Sequence, residues 1–358
     1  MQTKKKSYDA VDLMKFIMAI GVVIIHRHIF PDSYAYANTM LSSRLLLVAV
    51  PFFFISSSFF FFRDSFSCNK EPKKLFPFLK RLFIIYFLWT VIYLPCIFVK
   101  NHTGHYDEIT LMGVIGETVL LVKNFFFSYS FLHFWYLTTL MLSVVVIYFL
   151  RKKLSAETIF IISITVTALW HTVYFLSSKN ISFFQNITSA VPLVVQHSAG
   201  YTKHASGHGF LSVALGLLAA KYSDLFPKKL SFAFCVVCIT ALMVFGSKYF
   251  DSTNPMINFA IYVFSVFSSF FIFMLCLKVN LKPSPIYRKL RDYSILIYFS
   301  HLLIITETYN YMAAVTGIDS LKESNTLQFV ITLIFSLTVS WIIISLEKRG
   351  LKQLKYLH

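Results

Sequence analysis

Runs of apolar residues separated by short charged or turn-rich breaks recur along the whole chain. Ten of them read as helices, at approximately 10–30, 41–62, 80–99, 131–150, 155–176, 206–221, 230–247, 257–278, 293–309 and 325–346. About 20 apolar residues in a helix cross a bilayer core. The pattern therefore predicts an all-α, polytopic transmembrane bundle of about ten spanning helices, forming a single integral membrane domain over residues 1–358. The stretch 111–127 is also apolar, but Glu117 and Lys123 interrupt it. Counting it as a span would reverse the sidedness of every later loop, so it is read as a re-entrant or interfacial segment. The apolar run after Lys4, Lys5 and Lys6 has the outline of a secretory signal. It contains Asp12 and Lys15 and lacks a small-residue cleavage site, so it is read as a retained first helix.

Composition agrees with lipid as the main solvent. With 57% hydrophobic and 14% charged residues among 358, there is too little polar surface for an ordinary soluble domain. The excess of 33 Lys and Arg over 16 Asp and Glu, a net charge of +17, would suggest a polyanionic partner in a soluble protein. Topology accounts for it here. With the N-terminus inside, 24 basic residues fall in 4–6, 63–81, 151–153, 221–229, 278–291 and 348–355, against eight in the alternate segments. Basic residues accumulate in cytoplasmic loops, so both termini are expected in the cytoplasm and no nucleic acid partner is called for. Cys68, Cys96, Cys235, Cys238 and Cys276 lie in spans or inner loops and form no disulfide framework. The Cys235-x-x-Cys238 pair, inside an apolar run, reads as packing.

Histidine is distributed the other way. His26, His28, His102, His105, His133, His171, His197, His204 and His208 all fall in outer loops or at outer ends of spans, which points to chemistry near that face. The first helix adds Asp12 and Lys15, and a charge at membrane depth marks a functional candidate unless it snorkels to the surface. Lys15 and His26 are eleven residues apart, which returns them to nearly the same face about 16 Å apart along the axis. Asp12, three residues before Lys15, is placed to pair with it. His301 sits in an apolar run with Tyr298 one turn earlier, and reads either as a second functional group or as a structural histidine bonded to a neighbouring helix. Glu307 is a weaker candidate near the outer interface. His204 and His208 share the i, i+4 spacing of zinc ligands, but Gly207 and Gly209 loosen the helix and no glutamate follows His204, so no metal site is expected. Trp135 and Tyr136 read as an interfacial anchor or as a stacking surface for a sugar.

Four segments in order carry a family resemblance. Asp12-Leu13-Met14-Lys15 followed after ten residues by His26 resembles the basic-residue, ten-residue spacer, histidine signature of acyltransferase 3 proteins. Val50-Pro51-Phe52-Phe53-Phe54-Ile55-Ser56 resembles their Pro-Phe-Phe-Phe-Ile-Ser-Gly segment, with Ser57 in the glycine's place. His133-Phe134-Trp135-Tyr136-Leu137 resembles their Leu-Trp-Tyr-Leu, and Tyr293 to His301 resembles their late Ser-x-x-Ile-Tyr-x-x-His. The chain is also similar to the membrane domain of membrane-bound serine racemases.

The resemblance implies transfer of an acyl group, usually acetyl, from cytoplasmic acyl-coenzyme A as co-substrate to a hydroxyl of an envelope glycan or lipid-linked acceptor, in a bacterial plasma membrane. No bound cofactor is implied. Such chemistry needs a base near neutrality, for which His26 is the first choice. It also needs cations for the thioester oxygen and the phosphates. Lys15 with Asp12, and the cluster Lys73, Lys74, Lys80 and Arg81, are the candidates, although plain inner-loop topology explains the cluster equally well. Trp135, Tyr298, His301, Ser56 and Arg81 complete the expected substrate-binding set. The rival reading is a small-molecule transporter, since intramembrane ionisable residues also mark transport pathways.

Overall fold

The structure is a computed structural model describing residues 7–67, 75–102, 111–127, 129–178, 209–249, 255–304 and 306–358. Its regular elements are all helical: α1 Asp9–His26, α2 Ala35–Ser42, α3 Ala49–Ser67, α4 Leu75–His102, α5 Leu111–Phe127, α6 Trp135–Arg151, α7 Ala156–Ser178, α8 Phe210–Tyr222, α9 Lys228–Lys248, α10 Pro255–Lys278, α11 Pro285–Ser300, α12 Thr306–Thr316, α13 Ser320–Glu323 and α14 Asn325–Lys348. Among the described residues, three starts carry side-chain caps; at α7 the Ser155 hydroxyl accepts from the amide of Thr158 at 3.1 Å. Ser284, followed by Pro285, accepts from the amide of Ile286 at 3.3 Å, and Ser324 accepts from that of Leu327 at 3.3 Å. All three satisfy amide groups that a helix start leaves without partners.

Among the described residues, seven helical stretches are long and apolar enough to cross a membrane: Ala35–Asp64, Leu75–Cys96, Leu132–Arg151, Ala156–Val173, Lys228–Lys248, Met256–Lys278 and Asn325–Lys348. They coincide with seven of the ten expected spans. The other three expected spans correspond to shorter or more polar helices packed into the bundle. α1 carries Asp9, Asp12 and Lys15, α8 is only 13 residues long, and α11 opens with Arg288, Lys289, Arg291 and Asp292. α1 packs chiefly on α11, and α8 packs on α3 and α7. Val11, Ala19 and Val23 of α1, most of α8, and Leu296 to Phe299 of α11 are buried against other helices, while Ile17 of α1 and Ile286 of α11 stay exposed.

The expected span 293–309 needs correction. α11 stops at Ser300, residues 301–304 turn, and α12 begins at Thr306. His301 is thus the residue that closes α11 and does not sit mid-helix. Its imidazole Nδ1 lies 2.8 Å from the carbonyl of Tyr298 and 3.2 Å from that of Ile297. A side chain that bonds the last carbonyls supports such a stop. The segment 111–127 forms helix α5, whose Ile115, Val119, Leu120, Val122 and Phe126 are exposed. Phe125 stacks on Tyr86, eleven residues into α4, at 4.7 Å between ring centroids.

A close helix contact joins α8 to α3. A Cβ on Gly216 of α8 would stand 2.5 Å from the carbonyl oxygen of Ile55 and 2.5 Å from Ser58 Cβ, both on α3. The Ser58 hydroxyl donates to the Val213 carbonyl at 2.6 Å across the same seam. Small residues let membrane helices approach this closely. Gly216→Val is therefore expected to destabilise the folded protein by about 1–3 kcal/mol or more through overpacking, read as a lower midpoint in a thermal aggregation assay in detergent. An unchanged midpoint would show that α3 and α8 are not so close.

Candidate functional site

Three histidines from three separate elements meet inside the bundle. His26 is the last residue of α1, His301 closes α11, and His133 lies in the 3-10 turn Leu132–Phe134 that leads into α6. The ring centroids of His26 and His301 are 5.2 Å apart, and those of His301 and His133 are 5.3 Å apart. His301 and His133 are buried and His26 is partly so.

Tertiary contacts hold the two helix ends together. Arg27, next to His26, donates to the Gln328 side chain at 3.2 Å and to the Ile304 carbonyl at 3.1 Å, and its guanidinium lies over the Tyr309 ring. The Thr326 hydroxyl donates to the Ile29 carbonyl at 3.0 Å. The end of α1 is thereby tied to the turn after α11 and to α14.

The tautomer of His301 follows from its partners. Carbonyl oxygens only accept, so the Nδ1 that contacts those of Ile297 and Tyr298 carries the proton. The lone pair then belongs to Nε2, which is buried and has no hydrogen-bond partner among the described residues. The open acceptor atom of this ring is therefore Nε2.

On the side facing Lys15 the site continues as aromatic and hydroxyl groups. Tyr298 and Tyr136 are 5.5 Å apart between ring centroids, and Phe53 contacts both. Ser57 and the Tyr136 hydroxyl share a hydrogen bond of 3.2 Å. The serine standing where the family resemblance has glycine thus gains a polar partner. Three residues further along α3, the Phe60 ring contacts two cations, with Lys15 Nζ 4.9 Å and Arg63 Cζ 5.3 Å from its centroid.

The residues expected from sequence fall into three groups. His26, His301, Tyr298 and Tyr136 converge, and Trp135 flanks them against Phe54 at 6.0 Å. Lys15 lies on the same helix as His26 about 16 Å away, and its ammonium group faces the Phe60 ring. Asp12 and Lys15 make no salt bridge within 4.0 Å among the described residues, but their opposite charges on α1 are near enough to attract each other. Ser56 is buried and donates to the carbonyl of Phe53 in its own helix at 3.1 Å. Arg81 is exposed and donates to the His358 carbonyl at 3.3 Å, far along α4 from the histidines. Lys73, Lys74, His204 and His208 lie outside the described residues. Among those described, no three His, Cys, Asp or Glu side chains are grouped as metal ligands would be, and Cys96, Cys235, Cys238 and Cys276 are free. His133 had no individual role in the sequence reading. Its position directly before the Phe134-Trp135-Tyr136 segment was the available signal.

The fold and site define a multi-pass helical membrane protein with a histidine cluster buried between the ends of its central helices. Over residues 8–345 the chain matches the family model described as an acyltransferase domain, and it belongs to the acyltransferase 3 family. Among curated proteins it is similar to an amino-acid racemase of Enterococcus faecalis, 22% identical over 96% of this chain and 47% of the relative. A serine/alanine racemase of Enterococcus gallinarum is 23% identical over 95% of this chain and 46% of its own length. A further match to an amino-acid racemase of Enterococcus faecalis, 26% identical, covers 45% of this chain and 21% of the relative. The chain spans about half the length of the relatives matched along its full extent. No solved structure matches it.

Proposed function

We propose that the protein is a membrane acyltransferase that moves an acyl group, most simply acetyl, from cytoplasmic acyl-coenzyme A to a hydroxyl on a cell-envelope glycan or lipid-linked acceptor. The observation that carries this reading, beside family membership, is the His26–His301 pair with Nε2 of His301 buried and open. One imidazole takes the acceptor's proton as its oxygen bonds to the acyl carbon. The C–S bond then breaks, the electron pair leaves with sulfur, and the proton passes from the imidazolium to the thiolate. Lys15 and Arg63 supply positive charge on the side from which a phosphate-bearing donor would come, with the N-terminus in the cytoplasm.

The test is label transfer from radiolabelled acetyl-coenzyme A to envelope material in membranes. Wild type is expected to incorporate label. Lys15→Met is expected to raise KM for the donor about ten- to hundredfold, the loss of one charge-assisted contact of ~1.5–3 kcal/mol, with a smaller change in kcat. Wild-type membranes that transfer no label from several acyl donors would remove the proposal. The second reading is a bundle that moves a small molecule across the membrane, and because the curated relatives are named as racemases of amino acids, an amino acid is the first cargo to test. Amino-acid uptake without acyl-donor consumption would establish it instead.

A further inference from the structure

His133 is the least explained polar group in the site. It is 2% exposed, and both ring nitrogens are buried with no hydrogen bond of good geometry among the described residues, although the Phe299 carbonyl lies near enough to act on the ring. Its surroundings are aromatic: Tyr93, Phe131, Phe134, Tyr298 and Phe299 all contact the ring, and His301 is the one other imidazole against it. A phenylalanine would satisfy this cage better, because buried polar atoms without partners oppose folding. The backbone around it is nevertheless firmly held. The Tyr298 hydroxyl donates to the His133 carbonyl at 2.8 Å, and the Phe134 amide donates to Phe131 at 2.9 Å. The fold fixes this imidazole in place and gives its nitrogens no close partner of good geometry among the described residues.

His301 and His133 are complementary. Nε2 of His301 offers a lone pair, whereas a neutral His133 also has an N–H to give. Their separation allows both rings to reach one small polar group at hydrogen-bonding distance.

We propose that His133 is a third working histidine, whose N–H holds the acyl oxygen as it becomes negative while His301 or His26 handles the proton. This role rests on the acyl-transfer reading above. When the acceptor oxygen bonds to the acyl carbon, the carbonyl π pair moves onto oxygen and is held by the His133 N–H. It returns when the C–S bond breaks and the thiolate takes the proton. Tyr298 then serves as a positioning residue for His133 and not as a direct contact to substrate.

The experiment compares wild type, His133→Phe and His133→Gln as purified full-length protein, measuring thermal midpoint, kcat and KM for acetyl-coenzyme A. His133→Phe is expected to keep or raise the midpoint and to lower kcat roughly 10²–10³-fold, the usual loss of one oxyanion donor, with KM changed less than about threefold. His133→Gln, which keeps an N–H donor, is expected to recover at least about tenfold in kcat over the Phe variant. A His133→Phe protein as active as wild type overturns the assignment, as does a clear fall in its midpoint, which would mark His133 as structural. A glutamine variant no better than the Phe variant also overturns it. A wild type inactive with every acyl donor removes the acyl-transfer reading itself.

Discussion

His26→Ala is expected to lower kcat for acyl transfer by roughly 10²–10⁴-fold, the contribution of a positioned base, with little loss of thermal stability. Among the described residues His26 has no hydrogen-bond partner, so alanine leaves no polar group stranded. Its close neighbour is the His301 ring, which keeps its own bonds to Ile297 and Tyr298. Loss of activity at unchanged stability therefore isolates chemistry from folding. An alanine variant with wild-type kcat would show that the end of α1 takes no part.

His301→Phe should have an effect of similar size, for a different reason. Phenylalanine preserves the ring that packs beside His26, His133 and Tyr298, but removes both the open Nε2 and the Nδ1 proton bonded to the end of α11. A modest stability loss, about 0.5–1.5 kcal/mol for one hydrogen bond, accompanies the loss of kcat. The double variant His26→Ala with His301→Phe separates one proton-handling unit from two independent contributions. Residues that act as a unit are strongly non-additive, so the double variant is expected to be no slower than the slower single one. Multiplying effects would mean that the two imidazoles act in different steps.

Much of this arrangement was legible in the sequence, and the part that was not has physical causes. Seven spans were readable because apolar runs of bilayer length have few rivals. The packing of α1, α8 and α11 inside the bundle was not, since hydropathy reports transfer into an apolar medium without saying whether lipid or protein provides it. The break at His301 carries no glycine or proline. It coincides with an imidazole that bonds backbone carbonyls, an interaction hydropathy does not register. The three-residue spacing put Asp12 within electrostatic reach of Lys15, but the contact of Lys15 with Phe60 depends on α3, a long-range contact. The meeting of His133 with His301 likewise joins elements far apart in sequence, through the turn before α6 and the end of α11.

The most direct test of the central claim uses the purified protein in proteoliposomes, with free coenzyme A thiol and acylated acceptor measured together, and amino-acid uptake followed in parallel. Wild type is predicted to release thiol and acylate acceptor in equal amounts, and the His26→Ala, His301→Phe double variant to do neither at a comparable rate. Uptake of an amino acid without thiol release, or a double variant that acylates as fast as wild type, would contradict the account.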